Sequence, residues 1–148
     1  MSRTLPTRDA FGFWHAISTR WSDHDRLDHV NNARYFSFDE DARLGYFQDL
    51  WRDDPQFWKQ YGFILARLGC DFVSQLRHPA TVDVGFRVTR LGGASMETES
   101  LMLDGDTVVA VTQGVIVWFD YAEQKPMPIP ESVRASIRAR EPVAPTEK

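Results

Sequence analysis

From residue 62 onward the chain reads as long strand-like stretches separated by turns too short to hold a crossover. Val82, Val84, Phe86 and Val88 alternate with Asp83, Gly85, Arg87 and Thr89, the period-two pattern of a strand with one face covered. Gly92-Gly93 marks the next turn, residues 95–103 make another strand, and Asp104-Gly105 is a strong hairpin signal. Residues 107–121 follow with two nearly continuous apolar runs, which suits a strand covered on both faces. Ahead of these lies residues 63–76, another long candidate strand, with Pro79 marking the turn after it. Strands joined this tightly pair antiparallel, because a parallel pair needs a connection of about a dozen residues or more.

Such a meander has a face to cover, and the chain offers one large apolar element to cover it. Residues 33–50 place Tyr35, Phe38, Ala42, Gly45 and Tyr46 at helical spacing, widened by Phe36, Leu44 and Phe47. Asp39, Asp41 and Arg43 fall largely between those positions. Asn31 or Asn32 can cap the start. The spacing predicts one heavily buried helix, with a strand over residues 11–21 before it. The expected fold class is α+β, a curved antiparallel sheet wrapped around one long central helix.

The remaining stretches are connectors. Residues 51–61 contain a Pro55 break, and Phe57, Trp58 and Tyr61 read as a flap over the core. Residues 125–130 break the sheet, Pro130-Glu131-Ser132 opens a terminal helix to residue 140, and residues 141–148 are expected to fray. A length of 148 residues fits one domain, with its core over residues 11–121 and the short helix and tail over 122–148. A net charge of −4 without a basic block argues against a nucleic-acid surface. The single cysteine, Cys70, excludes an intrachain disulfide and reads as a small buried hydrophobe. Met1-Ser2-Arg3-Thr4-Leu5-Pro6 lacks the apolar run of a signal peptide, and no stretch approaches membrane-span length. No membrane partner and a cytoplasmic location are the expectation.

One segment is too charged for a core element. Asp23-His24-Asp25-Arg26-Leu27-Asp28-His29 holds three carboxylates and two imidazoles, and Val30-Asn31-Asn32 leads from it into the helix. A metal site lacks any distant Cys or His partner in the sequence. Capping of the helix and satisfaction of loop amides explains any one of these residues. A catalytic loop is the third reading. The free N–H groups of a helix start stabilise a developing oxyanion, and a carboxylate just before it can attack a carbonyl or activate water. Asp25 stands seven residues before Asn32, close enough to share such a site.

Residues 19–35, Thr-Arg-Trp-Ser-Asp-His-Asp-Arg-Leu-Asp-His-Val-Asn-Asn-Ala-Arg-Tyr, resemble the signature of the 4-hydroxybenzoyl-CoA thioesterase and acyl-CoA thioesterase family. They also resemble the Asp-x-Asp…His-Val-Asn-Asn motif of acyl-carrier-protein thioesterases. Phe38-Asp39-Glu40-Asp41-Ala42-Arg43 is similar to the family's acidic helix segment, and Arg90-Leu91-Gly92-Gly93-Ala94-Ser95-Met96 to its turn before a strand. The resemblance spans residues 13–119 and implies the hotdog fold and thioester hydrolysis. It implies Asp25 as the catalytic carboxylate, the Asn32 backbone N–H as oxyanion donor and His29 as the histidine of the carrier-protein branch. Ser95 matches a polar residue near the CoA-binding turn. Asp28 stands where many members have glycine, and Leu27 where the carrier-protein branch has a catalytic Asn.

Around these, Tyr35 is expected in the core or acyl-pocket wall, and Glu40 can reach the pocket from the side or pair with Arg43 or Arg34. Arg90, with Arg87 and Arg77, is a candidate for CoA phosphates. Asp23 and Asp28 read as solvated or loop-bonding, and His15 and His78 carry no functional reading. No metal or other cofactor is called for. The expected partners are an acyl-CoA thioester and a second copy of the chain, as a homodimer or homotetramer, since sites in hotdog proteins lie between subunits. A hotdog protein that binds acyl-CoA without turnover is the alternative, as is an acyl-carrier-protein thioesterase. A hotdog dehydratase would need a Gly-Asp-x-Asn-Pro-x-His motif, which the sequence lacks.

Overall fold

The computed structural model describes residues 4–54 and 59–147, so Phe57 and Trp58 of the expected flap lie outside the described residues. In chain order the elements are β1 (Trp14–Ser18), α1 (Asn32–Leu50), β2 (Tyr61–Phe72), β3 (Thr81–Leu91), β4 (Ser95–Asp104), β5 (Thr107–Asp120), β6 (Lys125–Pro126), α2 (Glu131–Arg140) and β7 (Thr146–Glu147). The sheet runs β1-β3-β4-β5-β2 and every neighbouring pair on that path is antiparallel. The short turns predicted the β3–β4 and β4–β5 pairings, but β2 does not pair with β3 across its Pro79 turn: it lies at the far edge against β5, and β1 takes the place beside β3. Gly105, with φ of 62°, occupies the left-handed conformation that the Asp104-Gly105 hairpin needs.

The inner sheet face meets α1. Val82, Val84, Phe86 and Val88 of β3, Met96 and Met102 of β4, and Ile116 and Trp118 of β5 pack with Tyr35, Phe38, Ala42, Tyr46 and Phe47 of the helix. The outer face is covered at one end by the N-terminal segment. Phe11 joins Leu101, Leu103 and Val111 there, with Leu5 and Trp14 against them. A Cβ at Gly85 would stand 3.0 Å from ring atoms of Phe11 and Trp14, so glycine permits that close layer. This cover explains why β1 is shorter than the 11–21 stretch expected. Phe11 turns outward before the strand begins, and Trp21–Asp23 curls into a 3-10 turn after it. Likewise β2 stops at Phe72, where the N–H groups of Val73 and Ser74 both turn to the Val109 carbonyl.

Two features correct the sequence reading. Asp39 and Arg43, expected between the apolar positions of the helix, are buried in its sheet-facing side. Arg43 Nη1 donates to Asp39 Oδ2 at 2.6 Å, and the hydroxyls of Ser100 and Thr112, on the inner faces of β4 and β5, donate to Asp39 Oδ1. A buried carboxylate is tolerated because all these donors meet it. Second, the tail does not fray: β7 pairs in parallel with β3, and Glu141 is buried.

Glu141 Oε2 accepts from the Tyr46 hydroxyl at 2.6 Å and the Val88 N–H at 3.0 Å, while Oε1 is buried with no partner among the described residues. Burial raises the Glu141 pKa, and the Tyr46 and Val88 hydrogen bonds and nearby Arg87 and Arg140 oppose it only in part. A carboxyl raised on folding stabilises fully below its unfolded value near 4.5, and that contribution is lost as pH climbs through the folded value. Glu141→Gln keeps an acceptor for Tyr46 and Val88 without the charge. We expect its melting temperature to exceed the parent's at pH 8 and to lose that advantage at pH 4, as followed by circular dichroism. Equal pH dependence of the two proteins would contradict the assignment.

Candidate active site

The charged segment leaves β1 and is pinned before it reaches α1. Asp23 is buried. Its Oδ2 accepts from the Arg20 N–H at 2.7 Å, and Oδ1 lies 3.5 Å from both Arg20 and Arg34. The Asp23 carbonyl accepts from the Asn31 N–H at 2.8 Å. Asp23 is therefore the bond-maker of the loop, and only Asp28 of the two is solvated. His24 and Val30 bridge in antiparallel fashion, and Val30 enters the core.

Between them residues 25–29 form a tight turn. The Asp25 N–H donates to the His29 carbonyl at 3.1 Å, and the Asp28 N–H to the Asp25 carbonyl at 3.3 Å. Asp28 takes a φ of 66°, the left-handed region where glycine costs nothing and Asp is tolerated.

Asp25 is half-buried at the tip of this turn. Its Oδ1 accepts from the Leu27 N–H at 2.8 Å, which fixes the carboxylate and leaves Oδ2 without a partner among the described residues. Asn31 caps the helix, its side chain accepting from the Ala33 N–H at 2.9 Å, so Asn32 is the first helical residue. The Asn32 N–H has no acceptor among the described residues, as expected of a first-turn amide. The carboxylate and the free helix-start donor belong to one short segment, with the His24–Val30 bridge and the Asn31 bond to the Asp23 carbonyl between them. His29 is half-buried beside it, and its imidazole has no hydrogen bond among the described residues.

The other candidates are spread more widely. Tyr35 is buried against Phe38 and Phe72, and burial, with Cys70 adding to it, raises its hydroxyl pKa. Glu40 is exposed two turns into α1, 3.8 Å from Arg43, and lines a cavity of about 220 Å³ with Leu44, Phe47, Phe63 and Leu65. Arg90 pairs with Glu97 at 4.0 Å, and Ser95 closes the turn after β3, its carbonyl accepting from Gly92. Both lie at the end of β3 remote from the Asp25 loop. Thr81 pairs with Ser18 at the near end, and Arg90 stands nine positions further along the strand, roughly 30 Å away. One protomer therefore does not bring them to Asp25. Arg87 is engaged with Glu99 at 2.6 Å, whereas Arg77 is exposed and lies 3.8 Å from Asp28 of the loop. Burial, then the charge of Asp39, pushes the Cys70 thiol up to about 11, so it is no nucleophile near neutrality. Among the described residues no group of three or more His, Cys, Asp or Glu side chains is placed to hold a metal ion. No helix among them is long and apolar enough to cross a membrane.

An antiparallel sheet curled around a single helix, with a carboxylate loop at the helix start, is the hotdog fold of thioesterases. The model of the thioesterase-like superfamily matches residues 19–137, and the chain belongs to that family. A Thermus thermophilus thioesterase solved with coenzyme A and zinc is similar at 34% identity and a TM-score of 0.79, over 89% of this chain and 96% of that one. A Pseudomonas aeruginosa protein is similar at 28% identity and a TM-score of 0.82, over 94% and 98%. The Bacillus subtilis protein YsmA matches at 26% identity over 60% of this chain, and the matched stretch spans 59% of YsmA.

Sequence reasoning missed two parts of this site. The burial of Asp23 between Arg20 and Arg34 carries a signal only in the charges themselves. The contact of His24 with His78 joins residues 54 apart and has no local pattern at all.

Proposed function

We propose that the protein hydrolyses acyl-CoA thioesters to free acid and CoA, with Asp25 as nucleophile or general base and the Asn32 N–H as oxyanion donor. The observation that carries this reading is the loop itself, an anchored Asp25 with one oxygen unpartnered among the described residues, in the turn that leads into an unpaired first-turn N–H. The thioester carbonyl lies over the α1 start, its oxygen toward Asn32, and Asp25 or a water it activates meets the carbonyl carbon. His29 orients the thioester or that water. The acyl group lies toward Tyr35 and the cavity beside Glu40, and Arg77 is the arginine best placed for a CoA phosphate. The Thermus thermophilus protein's complex with coenzyme A supports the choice of carrier.

A second copy completes the site in this reading. On the main sheet path β2 is an end strand, and Ile64, Leu65, Phe72 and Val73 at its edge are exposed, as are Phe36 and Leu44 on α1. An exposed apolar edge strand is a template for pairing. We expect a homodimer or homotetramer by light scattering at micromolar concentration, and a strictly monomeric protein would contradict this part. The hydrolysis itself is tested by free-thiol release over short, aromatic and long acyl-CoAs, with the best acyl group also presented on carrier protein. Turnover is expected, faster on CoA because a chain of net charge −4 repels an acidic carrier. Saturable binding with no thiol release would establish the binding-protein alternative instead.

A further inference from the structure

The Asp25 loop is held from below by a pair of histidines. His24 Nε2 lies 2.6 Å from the backbone nitrogen of His78. A peptide N–H only donates, so this Nε2 carries a lone pair and the proton of a neutral His24 resides on Nδ1. That Nδ1 stands 3.8 Å from the Asp28 carboxylate. The donor is fixed in turn. Thr19 Oγ1 is 2.8 Å from His78 Nδ1 and also accepts from the Ala80 N–H at 2.9 Å, which ties the His78 segment to the end of β1. The His24 ring meets the His78 ring edge-on at 6.0 Å and has the Trp21 ring on its other flank at 6.2 Å. A second proton on His24 would set N–H against N–H at this contact. The ring would have to leave, and the residue that follows it is Asp25.

We propose that His24 is a positioning residue for Asp25, its neutral imidazole clamping the loop to the His78 peptide and releasing it on protonation. The proposal rests on the thioesterase reading for its effect on rate, but not for the clamp. The charges facing His24 are that of Asp28 on its own loop and that of Arg77, which pairs with Asp28 from the segment before β3. His78 is the other titratable neighbour. Protonation turns the accepting Nε2 into a donor facing the His78 N–H, and that reversal is what opens the clamp.

The test compares the full-length parent protein with His24→Gln, His24→Leu and Asp25→Asn. Gln offers a non-titrating oxygen at the reach of Nε2, and Leu offers none. On the best acyl-CoA the parent's kcat should fall on acidification with the midpoint at which nitrogen shifts show His24 gaining its second proton. His24→Gln should rescue the high-pH rate and abolish the fall at that midpoint. His24→Leu should lose about tenfold or more in kcat at every pH, with a smaller change in KM. In the parent, imidazole nitrogen shifts should show His24 as the Nδ1–H tautomer at pH 8. Exchange protection of the His78 amide should collapse with the same midpoint as His24 titration. A His24→Gln profile that keeps the parent's acid limb, or a His78 amide indifferent to His24 titration, would overturn the proposal. Full hydrolysis by Asp25→Asn, with the His78 amide still following His24, would overturn the catalytic reading and leave the clamp standing.

Discussion

Replacing Asp39 with alanine is expected to lower the stability of the protein by about 3–5 kcal/mol, the range for breaking one side of a buried ion pair. Asp39 is 1% exposed and its partner Arg43 is 9% exposed, so water cannot replace the lost carboxylate. The change leaves a guanidinium without its 2.6 Å acceptor and takes the common acceptor from Ser100 and Thr112. For a chain of this size such a loss lowers the melting temperature by roughly 10 °C or more. Removing both charges together, as Asp39→Leu with Arg43→Met, should cost less than removing Asp39 alone, because the stranded charge carries most of the penalty. Calorimetric melting of the three proteins checks this. A single variant that melts within a degree or two of the parent would show that the cluster is not a stabilising unit.

The same cluster shows where sequence reading reached its limit. The period of two through Val82–Val88, the Asp104-Gly105 turn and the apolar spacing of the helix each report local geometry, and they were enough to set the β3–β4–β5 meander and the covering helix, though not the long-range places of β1 beside β3 and β2 beside β5. Asp39 and Arg43 reversed the rule that charges face water, because their partners come from strands 61 and 73 residues away. The visible clue was a hydroxyl at Ser100, next to that of Thr98, and another at Thr112, on strand faces that also carry Met96, Met102 and Ile116. The tail failed for a related reason. Glu141 looks like a solvent-facing carboxylate until Tyr46 and the Val88 amide are folded against it. In the candidate site, Asp25, Asn32 and His29 were legible because they lie in one continuous segment whose polarity and helix cap are local features. Arg90 and Ser95 were linked to them by resemblance alone, and the strand between them sets the two ends apart within one protomer.

Asp25→Asn is the other change with a large expected effect, and it falls on rate. The asparagine preserves size and an oxygen able to accept from the Leu27 N–H, so the turn retains its bond. In the proposed mechanism the substitution removes the negative charge that attacks the carbonyl or takes a proton from water. That charge acts mainly in the transition state, so the loss should appear in kcat more than in KM. A fall of at least about 10²-fold is expected, the lower end for removing a general base. A purely capping Asp would behave in the opposite way, costing about 1 kcal/mol of stability on replacement and leaving turnover intact. The most direct measurement is therefore thiol release and thermal melting on the same preparations of the parent and Asp25→Asn. The account predicts near-equal melting temperatures with hydrolysis reduced a hundredfold or more. A variant that melts early yet releases CoA at the parent rate would contradict it.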